Sequence, residues 1–450
     1  MDDSSPPAGE RRFRTARTLR LGTFHIGSAM SDVLVSSVLN RVLISHFGFM
    51  AWPVALLLGL RYLLSPLSLW AGARSDISAA APYGRTRFIW AGRALMMIGL
   101  GLIGVSLAWF GRGQALVGWL IVIAGFLSYG VGGLISGSPF LALVRHSAPA
   151  EKQGMAIAIV ETVLIACFPL AALGFGLLME HYELRLFWRM VALTTGVGGL
   201  FWLVSIAGVE RRVQAELRAA GEPVQPHDRP LRERLRMLLG DRSKIRFFLF
   251  LSVAAAAAWL QEAVLEPFGA EVLELSLGQT TRLNTVWLAP TLLTLVASMA
   301  LWRNRPPERQ GGIAGAGLCF MAAGMALLAA AAFAGMSVLV MPALIAYGAG
   351  FGVYTFGGLS LMAAMTTDQQ AGAELGLWTI AQVVFRGVGI SAGGLIRDVG
   401  LVLGGSPAVA YGVVFAVASA GIVAAVAILT RVAEGLRARP GGAAAPVAVS

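Results

Sequence analysis

Apolar stretches of about 20 residues recur along the whole chain, and each is long enough to cross the hydrocarbon core of a bilayer as a helix. This repetition constrains the fold more than any motif does. We number about twelve of them as predicted spans 1 to 12. They are centred near Ala29, Leu60, Gly99, Gly130, Leu164, Val197, Ala256, Leu292, Met321, Tyr347, Val383 and Ala418. Few segments show the alternation typical of strands, so the sequence predicts an all-α polytopic membrane protein.

Composition supports a membrane protein. The chain is 57% hydrophobic and only 13% charged, which lies far from the balance of a soluble globular protein. The first residues are polar, and the first apolar stretch is too long for a cleavable secretory signal. Predicted span 1 is therefore expected to remain in the protein.

Arginine residues are concentrated in alternate predicted loops. They precede span 1 and follow spans 2, 4, 6, 8 and 12. Because cytoplasmic loops carry an excess of Lys and Arg, both termini are expected on the cytoplasmic side. The net charge of +11 is thus a topology signal. Its spread over many loops, without one basic patch, argues against nucleic acid as a partner.

The longest polar segment divides the predicted spans six and six. The predicted organisation is an Arg-rich cytoplasmic segment at 1–18, a six-helix bundle at 19–208, a cytoplasmic linker at 209–245, a second six-helix bundle at 246–434 and a flexible cytoplasmic tail at 435–450. This plan predicts two six-helix pseudo-repeats, the architecture of the major facilitator superfamily.

Glycines support the repeat. At one constant offset, Gly130 and Gly132 of span 4 correspond to Gly348 and Gly350 of span 10. Small residues at such positions let membrane helices approach closely. The spacing Gly133-x-x-x-Gly137 in span 4 predicts a close helix contact of this kind.

The loop between spans 2 and 3 contains an acid and several bases. It reads Gly72-Ala73-Arg74-Ser75-Asp76 and, after a short insertion, Gly84-Arg85-Thr86-Arg87. This pattern resembles the cytoplasmic glycine, aspartate and arginine signature of major facilitator proteins. The resemblance implies a charge latch between helix ends, formed by Asp76, Arg85 and Arg87, whose making and breaking follows the opening of the bundle.

Polar side chains inside the predicted spans are the strongest functional signal. An ionisable group at membrane depth costs roughly 2.5 to 3.5 kcal/mol on insertion scales, so such groups usually face a protein interior or a wet cavity. On span 1, His25, Asp32 and Asn40 are spaced to share one face of a 3.6-residue helix. Span 7 carries Glu262 and Glu266, four residues apart.

The end of span 7 contains helix-weakening residues. Pro267 and Gly269 follow the two acids, and they are expected to weaken the helix just beyond them. If the halves are repeats, span 7 is the counterpart of span 1, so its acids are expected to face the bundle interior.

Spans 1, 5, 7 and 11 border the central space of a major facilitator bundle, so their polar groups are candidates for a binding site. These candidates are His25, Asp32, Asn40, Glu161, Gln261, Glu262, Glu266, Gln382 and Arg386. A structural alternative stays open, in which acids pair with arginines only to hold helices together. The acids concerned are Asp32, Glu161 and Glu262, and the arginines are Arg41, Arg61 and Arg386.

Four segments resemble the PucC family, which includes the LhaA-type proteins. They are Leu19-Arg20-Leu21-Gly22, Leu39-Asn40-Arg41-Val42-Leu43-Ile44, the loop from Arg74 through Asp76 to Gly92, and residues 261–281 (QEAVLEPFGAEVLELSLGQTT). The resemblance covers nearly the whole chain. It implies a major-facilitator-like membrane protein of photosynthetic bacteria that assembles light-harvesting antenna complexes and handles bacteriochlorophyll.

That resemblance implies antenna polypeptides, bacteriochlorophyll and the lipid bilayer as partners. The location would be a bacterial inner membrane, either cytoplasmic or intracytoplasmic and photosynthetic. No covalently bound cofactor or resident metal is expected, and bacteriochlorophyll would be cargo. Its magnesium needs an axial ligand, for which His25, Asn40 and Gln261 have the right chemistry.

A transporter and an enzyme are the two alternatives to an assembly factor. A proton-coupled transporter of an amphipathic small molecule would use Asp32, Glu262 or Glu266 as the titrating group. An enzyme is not expected, because the sequence has no Walker-type phosphate loop, no metal-binding cluster and no recognisable Ser-His-Asp set.

Overall fold

The computed structural model describes residues 13–78, 81, 83–149, 152–219, 242–302, 307–364 and 371–437, and these ranges are nearly all helical. Ten continuous helical stretches within them are long and apolar enough to cross a membrane, judged by length and composition. They correspond to predicted spans 2 to 6 and 8 to 12. Some of these stretches divide into the shorter helices whose bounds are given below. The prediction of an all-α polytopic membrane protein is confirmed. The N-terminal segment, most of the linker and most of the tail lie outside the described ranges.

The chain divides into two compact units. The first comprises Met1–His227 together with Leu265–Thr285. Its helices are α1 (Thr15–Gly22), α2 (Phe24–Val33), α3 (Ala51–Leu63), α4 (Pro66–Ile77), α5 (Thr86–Gly111), α6 (Ala115–His146), α7 (Gln153–Leu178), α8 (Leu184–Leu193), α9 (Gly199–Ile206), α10 (Val209–Ala219), α12 (Leu265–Glu271) and the first part of α13 (Leu277–Trp302).

The second unit comprises Asp228–Val264 and Val286–Ser450. It contains α11 (Arg242–Trp259), the rest of α13, α14 (Pro307–Ala334), the 3₁₀ turn Ser337–Leu339, α15 (Val340–Ala364), α16 (Ala371–Val402) and α17 (Pro407–Arg437). Helix α14 packs on α15 and α17, and α11 packs on α16 and α17. Buried alanine and aromatic side chains of these helices form the core of this unit.

Helix α10 belongs to the first unit, although the sequence places it in the linker. Gly208, with φ of +70°, turns the chain out of α9, a conformation that favours glycine. Val209, Val213 and Leu217 of α10 are then buried in the same apolar cluster as Phe140 of α6. Helix α10 therefore packs on the first unit through its apolar face and is not part of a flexible linker.

The segment Leu265–Thr285 also groups differently from the predicted division into bundles at 19–208 and 246–434. It lies with the first unit because its side chains bond there. Arg282 pairs with Glu180 at 3.1 Å, and Ser276 donates to the same carboxylate. Gly278 lies directly against the backbone of Gly176, where a side chain would not fit.

Span 1 is not one regular α-helix. Beyond α2 the chain forms two π-helical segments, Leu34–Leu39 and Val42–His46. A π turn contains more residues than an α turn. The 3.6-residue spacing used for Asn40 therefore does not apply from Leu34 onward, and that Asn40 shares a face with His25 and Asp32 stays a prediction.

Span 7 breaks earlier than predicted. Helix α11 ends at Trp259, turns occupy 260–264, and Pro267 and Gly269 lie inside the short helix α12. The Ala258 carbonyl at the end of α11 accepts a hydrogen bond from the Tyr347 hydroxyl at 2.6 Å, which satisfies a group that the next helical turn would otherwise use. The prediction of one helix carrying Glu262 and Glu266 is wrong.

Each unit contains the same kind of glycine contact between two of its own helices. In the first unit Gly132 lies against the backbone of Gly92 and Met96, so α5 and α6 meet without side chains between them. In the second unit Gly350 lies in the same way against Gly317 and Met321 of α14. The pseudo-repeat predicted from glycine positions is therefore confirmed at this helix pair.

The prediction of a close contact at Gly133 and Gly137 is wrong. A Cβ atom at Gly137 would meet nothing within 4 Å, and one at Gly133 would reach only the Met96 sulfur at 3.9 Å. The α5–α6 crossing uses Gly132 instead, because the neighbouring position points away from the partner helix.

Candidate functional site

Asp32 lies in an ion pair inside the first unit. Its carboxylate pairs with Arg61 of α3 and accepts a hydrogen bond from the Tyr129 hydroxyl of α6 at 2.8 Å. The Arg61 guanidinium also donates to the Tyr62 hydroxyl at 2.6 Å. The network ties α2, α3 and α6 together, which is the structural alternative that the sequence left open for this acid.

His25 lies apart from Asp32, among aromatic rings. Its ring stands edge-on to Phe24 and Phe140, with centroids 5.8 and 5.3 Å away. Only 7% of the residue is exposed, and neither ring nitrogen has a hydrogen-bond partner among the residues that the structure describes. A neutral imidazole with a free lone pair could act as a metal ligand or as a hydrogen-bonding group.

Asn40 and Glu161 occupy different surroundings. Asn40 is fully buried between the two π-helical segments. Glu161 is half-buried on α7, and within the described ranges its carboxylate makes no hydrogen bond or ion pair. Within the described ranges, Glu161 does not join the Asp32 network.

Glu266 is buried in the first unit. Its Oε1 atom accepts hydrogen bonds from Ser37 of the π-helical segment and from Asn284 of α13. The other oxygen, Oε2, is enclosed and has no partner in the described part of the chain. Ser45 donates to Glu271 at 3.2 Å one turn further on. The carboxyl group of Glu266 thus has one bonded oxygen and one bare oxygen.

Glu262 lies in the second unit and pairs with Arg386. The Nη2 atom of Arg386 reaches both carboxylate oxygens, at 3.1 and 2.9 Å. The guanidinium also lies 3.5 Å above the Trp259 ring. Such a cation over an aromatic face is attracted by the ring quadrupole. The two acids of span 7 therefore have different partners in different units.

Aromatic residues surround this ion pair. Trp259, Trp287 and Phe351 contact one another edge to face, with centroids 5.3 to 6.2 Å apart. Tyr347 packs on Trp287 at 5.6 Å. Tyr354 stands 6.3 Å from Phe351 and completes the group. We call these five residues the aromatic cluster.

Two predicted amides contact the aromatic cluster. Gln261 lies beside Tyr347, and Gln382 hydrogen-bonds to Tyr354. Gln261 is 2% exposed, and its amide nitrogen has no geometric hydrogen-bond partner in the described residues. The second unit therefore brings together four candidates: Gln261, Glu262, Gln382 and Arg386.

The predicted latch is present in part. Asp76 and Arg85 form an ion pair at 2.7 Å, and the Arg85 guanidinium also contacts His146 Nδ1 at 3.1 Å. Arg87 does not join them, since it is exposed and lies over the neighbouring Phe88 ring. That the pair opens and closes with the bundle stays a prediction.

Glu210 of α10 completes this end of the unit. Its carboxylate accepts hydrogen bonds from the backbone N–H of Arg85 at 2.7 Å and of Thr86 at 2.8 Å. These are unsatisfied donors at the start of α5, where a negative charge also complements the helix dipole. Glu210 is thus a buried cap for a long helix of the bundle.

Replacing Glu210 by Ala is expected to lower the unfolding free energy by about 2 kcal/mol, because two helix-terminal donors lose their acceptor. The measurement is the thermal unfolding temperature in mild detergent. Arg212→Ala, on the same helix, is the control. Arg212 is exposed, so its loss should change the unfolding free energy by under about 0.5 kcal/mol. Equal effects would contradict the capping role.

Several network members were missed by sequence reasoning. Their polar side chains stand alone within apolar stretches, so spacing could not link them to distant partners. For Arg93, Tyr129 and Asn284, the only signal in the sequence is a polar residue within a predicted span. Glu210 was hidden among the arginines of the predicted linker.

Metal-binding side chains do not cluster in the described ranges, where no three His, Cys, Asp or Glu residues come together. A magnesium ion brought by a ligand would need only one axial group from the protein. His25 and Gln261 each have a nitrogen without a hydrogen-bond partner, and an amide can present its oxygen at the same place after a flip.

Comparison with solved structures identifies the fold. The chain is similar to the nucleoside transporter NupG, with a TM-score of 0.61 and 13% identity over 92% of this chain and 98% of that chain. It is also similar to a bacterial homologue of the iron transporter ferroportin, with a TM-score of 0.60 and 14% identity over 94% and 100% of the two chains. The fold is that of the major facilitator superfamily, as predicted.

Comparison with known sequences identifies the family. Protein PucC of Cereibacter sphaeroides is 27% identical over 398 residues, covering 85% of this chain and 83% of that protein. A Rhodobacter capsulatus protein named Bacteriochlorophyll synthase 44.5 kDa chain is 29% identical over 408 residues, covering 88% and 90%. The family model described as PUCC protein matches residues 38–436. The chain, a multi-pass bacterial membrane protein, therefore belongs to the PUCC protein family.

Proposed function

We propose that this protein is an assembly factor for photosynthetic light-harvesting antenna complexes, and that it binds bacteriochlorophyll and delivers it to antenna polypeptides. The observation that carries the proposal is the family match over residues 38–436. One relative carries bacteriochlorophyll in its name, which supports the pigment as ligand. The protein itself would catalyse no reaction.

The aromatic cluster of the second unit suits such a ligand. A flat macrocycle needs apolar walls, which Trp259, Trp287 and Phe351 supply, and its magnesium needs one nitrogen or oxygen ligand. Gln261 lies beside these rings, and its amide nitrogen has no hydrogen-bond partner of good geometry in the described residues. The neighbouring pair of Glu262 and Arg386 could hold polar substituents at the edge of the macrocycle.

His25 is a second candidate ligand, in the first unit. The ring nitrogens of His25 and the amide nitrogen of Gln261 are both enclosed, so a macrocycle could reach either residue only after neighbouring side chains move. We place Gln261 first and His25 second as axial ligands, because Gln261 lies beside the aromatic cluster.

The test is purification in mild detergent from pigment-producing cells, followed by an absorbance spectrum. Gln261→Leu is expected to reduce pigment per protein about tenfold, the ratio that a loss of 1.4 kcal/mol gives. Gln114→Leu, an exposed glutamine in a loop, is the matched control and should keep its pigment. His25→Leu tests the second candidate in the same way. A colourless wild-type protein, with normal antenna levels in a deletion strain, would defeat the proposal.

Proton-coupled transport of an amphipathic small molecule is the second candidate function. The observation that favours it is the bare Oε2 atom of Glu266, enclosed beside an oxygen that already accepts two hydrogen bonds. A buried carboxyl of this kind is suited to carry a proton. Normal antenna assembly in the deletion strain would favour this function over the first.

The site and partners imply a location. We propose that the protein lies in the bacterial inner membrane, cytoplasmic or intracytoplasmic, with both termini in the cytoplasm. The alternate arginine-rich loops support this orientation.

A further inference from the structure

Arg93 of α5 is a buried cation in the first unit. Its guanidinium lies over two aromatic faces, 4.3 Å from the centroid of Phe24 and 4.9 Å from that of Trp202. Only 8% of the residue is exposed. Its hydrogen bond is to the Met96 sulfur at 3.3 Å, a weak acceptor. The residue is therefore held in place by rings and not by an acid.

The charges around Arg93 do not balance. A guanidinium has five N–H donors, and the Nε atom of Arg93 has no partner in the described chain. Asp32 acts on it electrostatically, but the Asp32 carboxylate is already in an ion pair with Arg61. Within the described residues, Asp32 therefore acts on both Arg61 and Arg93. An uncompensated buried charge is costly, so this arrangement calls for a further anion.

Neighbouring groups add hydrogen-bonding capacity. His25 lies close enough to Arg93 to feel its charge, and both of its ring nitrogens are unpartnered. In the described part of the chain, the indole N–H of Trp202 is also buried without an acceptor. Arg93 and Trp202 therefore offer donors that lack acceptors there, and a neutral His25 adds one N–H donor and one acceptor nitrogen. We call these three residues the Arg93 site.

We infer that the Arg93 site binds the acidic group of an amphipathic ligand, either a carboxylate or a phosphate carried on an apolar body. Planar guanidinium groups recognise both anions by paired hydrogen bonds. The apolar body would lie along the membrane-facing surface of the unit. This inference is independent of the proposed pigment site at Gln261, which lies in the second unit, whereas His25 is shared with the second candidate for an axial ligand.

The position of Arg93 along α5 fits a ligand of this kind. The helix has 26 residues, and Arg93 is in its second turn from Thr86. That places it about 10 Å from the helix end by the rise of 1.5 Å per residue. A helix of that length exceeds the roughly 30 Å hydrocarbon core, so this depth lies near the boundary between hydrocarbon and headgroups.

The experiment measures thermal unfolding of the full chain in nanodiscs of phosphatidylcholine, with and without an equal part of phosphatidylglycerol, and with added oleate. Phosphatidylglycerol tests a lipid phosphate with net negative charge, which phosphatidylcholine lacks because its choline group neutralises the headgroup, and oleate tests a free carboxylate. In the wild type, at least one is expected to raise Tm by roughly 4 °C through ligand binding to the folded state. Native mass spectrometry should show one retained molecule of that ligand.

Arg93→Met keeps the length of the side chain and removes the charge. In phosphatidylcholine its Tm should equal or exceed that of the wild type, because no bound acid is lost. The rise with the acidic ligand and the retained molecule should both disappear. Arg112→Met is the matched control, since Arg112 is exposed over Trp109 at 5.5 Å, and it should keep both effects.

Three results would overturn the inference. The first is a wild type that gains no stability from either acid. The second is an Arg93→Met variant that responds like the wild type. The third is an Arg93→Met variant that unfolds in phosphatidylcholine, because groups of the protein itself would then balance the charge of Arg93.

Discussion

Replacing Gly132 by Ala is expected to destabilise the first unit by about 3 kcal/mol, at the upper end of the range for overpacking. The new Cβ atom would lie 2.8 Å from the Met96 nitrogen and would overlap the Gly92 carbonyl oxygen. Both are backbone atoms of α5, so no side chain can move aside. The measurement is Tm in mild detergent together with the fraction of protein that elutes as a monodisperse peak.

Gly137→Ala is the control on the same helix, and its effect should have the opposite sign. A Cβ atom there meets nothing within 4 Å, so the better helix propensity of alanine should stabilise by up to about 1 kcal/mol. Gly350→Ala in the second unit should resemble Gly132→Ala, because it lies against Gly317 in the same way. Equal results at Gly132 and Gly137 would contradict the packing described here.

Replacing Arg386 by Met is expected to cost about 3 to 5 kcal/mol, the usual effect of removing one partner of a buried ion pair. The Glu262 carboxylate would keep its charge without the guanidinium, whose Nη2 atom lies within 3.1 Å of both oxygens. The contact with the Trp259 ring would be lost as well. Thermal unfolding measures the stability, and retained pigment measures the effect on the proposed site.

A double variant separates the ion pair from packing. Glu262→Gln combined with Arg386→Met removes both charges, so it should recover most of the lost stability. Glu266→Gln is the control at the other acid. Glutamine keeps the oxygen that accepts from Ser37 and Asn284, and it places an amide at the bare position, so the cost should be under about 1 kcal/mol. The pairing would be contradicted if the separate effects of Glu262→Gln and Arg386→Met on stability added up to the effect of the double variant.

Much of the fold could be predicted because a bilayer responds to local composition. An apolar stretch of about 20 residues indicates a spanning helix whatever its neighbours are. Predicted spans 2 to 6 and 8 to 12 were found in this way, and so were the repeat and the family resemblance. Spans 1 and 7 were predicted as regular helices and are broken, because π turns and a hydrogen bond from Tyr347 are tertiary effects.

The candidate site was predicted only in part. Sequence reasoning named Glu262 and Arg386, and it offered their pairing as one alternative, which the structure shows. It placed Glu266 beside Glu262, although the two acids bond to different units. It did not single out Arg93, because nothing local distinguishes a cation over aromatic rings from an interfacial arginine.

The amino-acid sequence by itself determined that this chain is a helical membrane protein of two related halves, since hydrophobicity and glycine positions act locally along each helix. Tertiary structure alone decided which buried charges are balanced. Asp32 and Glu262 each have an arginine, whereas Arg93 has aromatic rings and, in the described part of the chain, no acid of its own. The reason is physical: the free energy of a buried charge depends on neighbours within a few ångströms, and those neighbours come from distant helices.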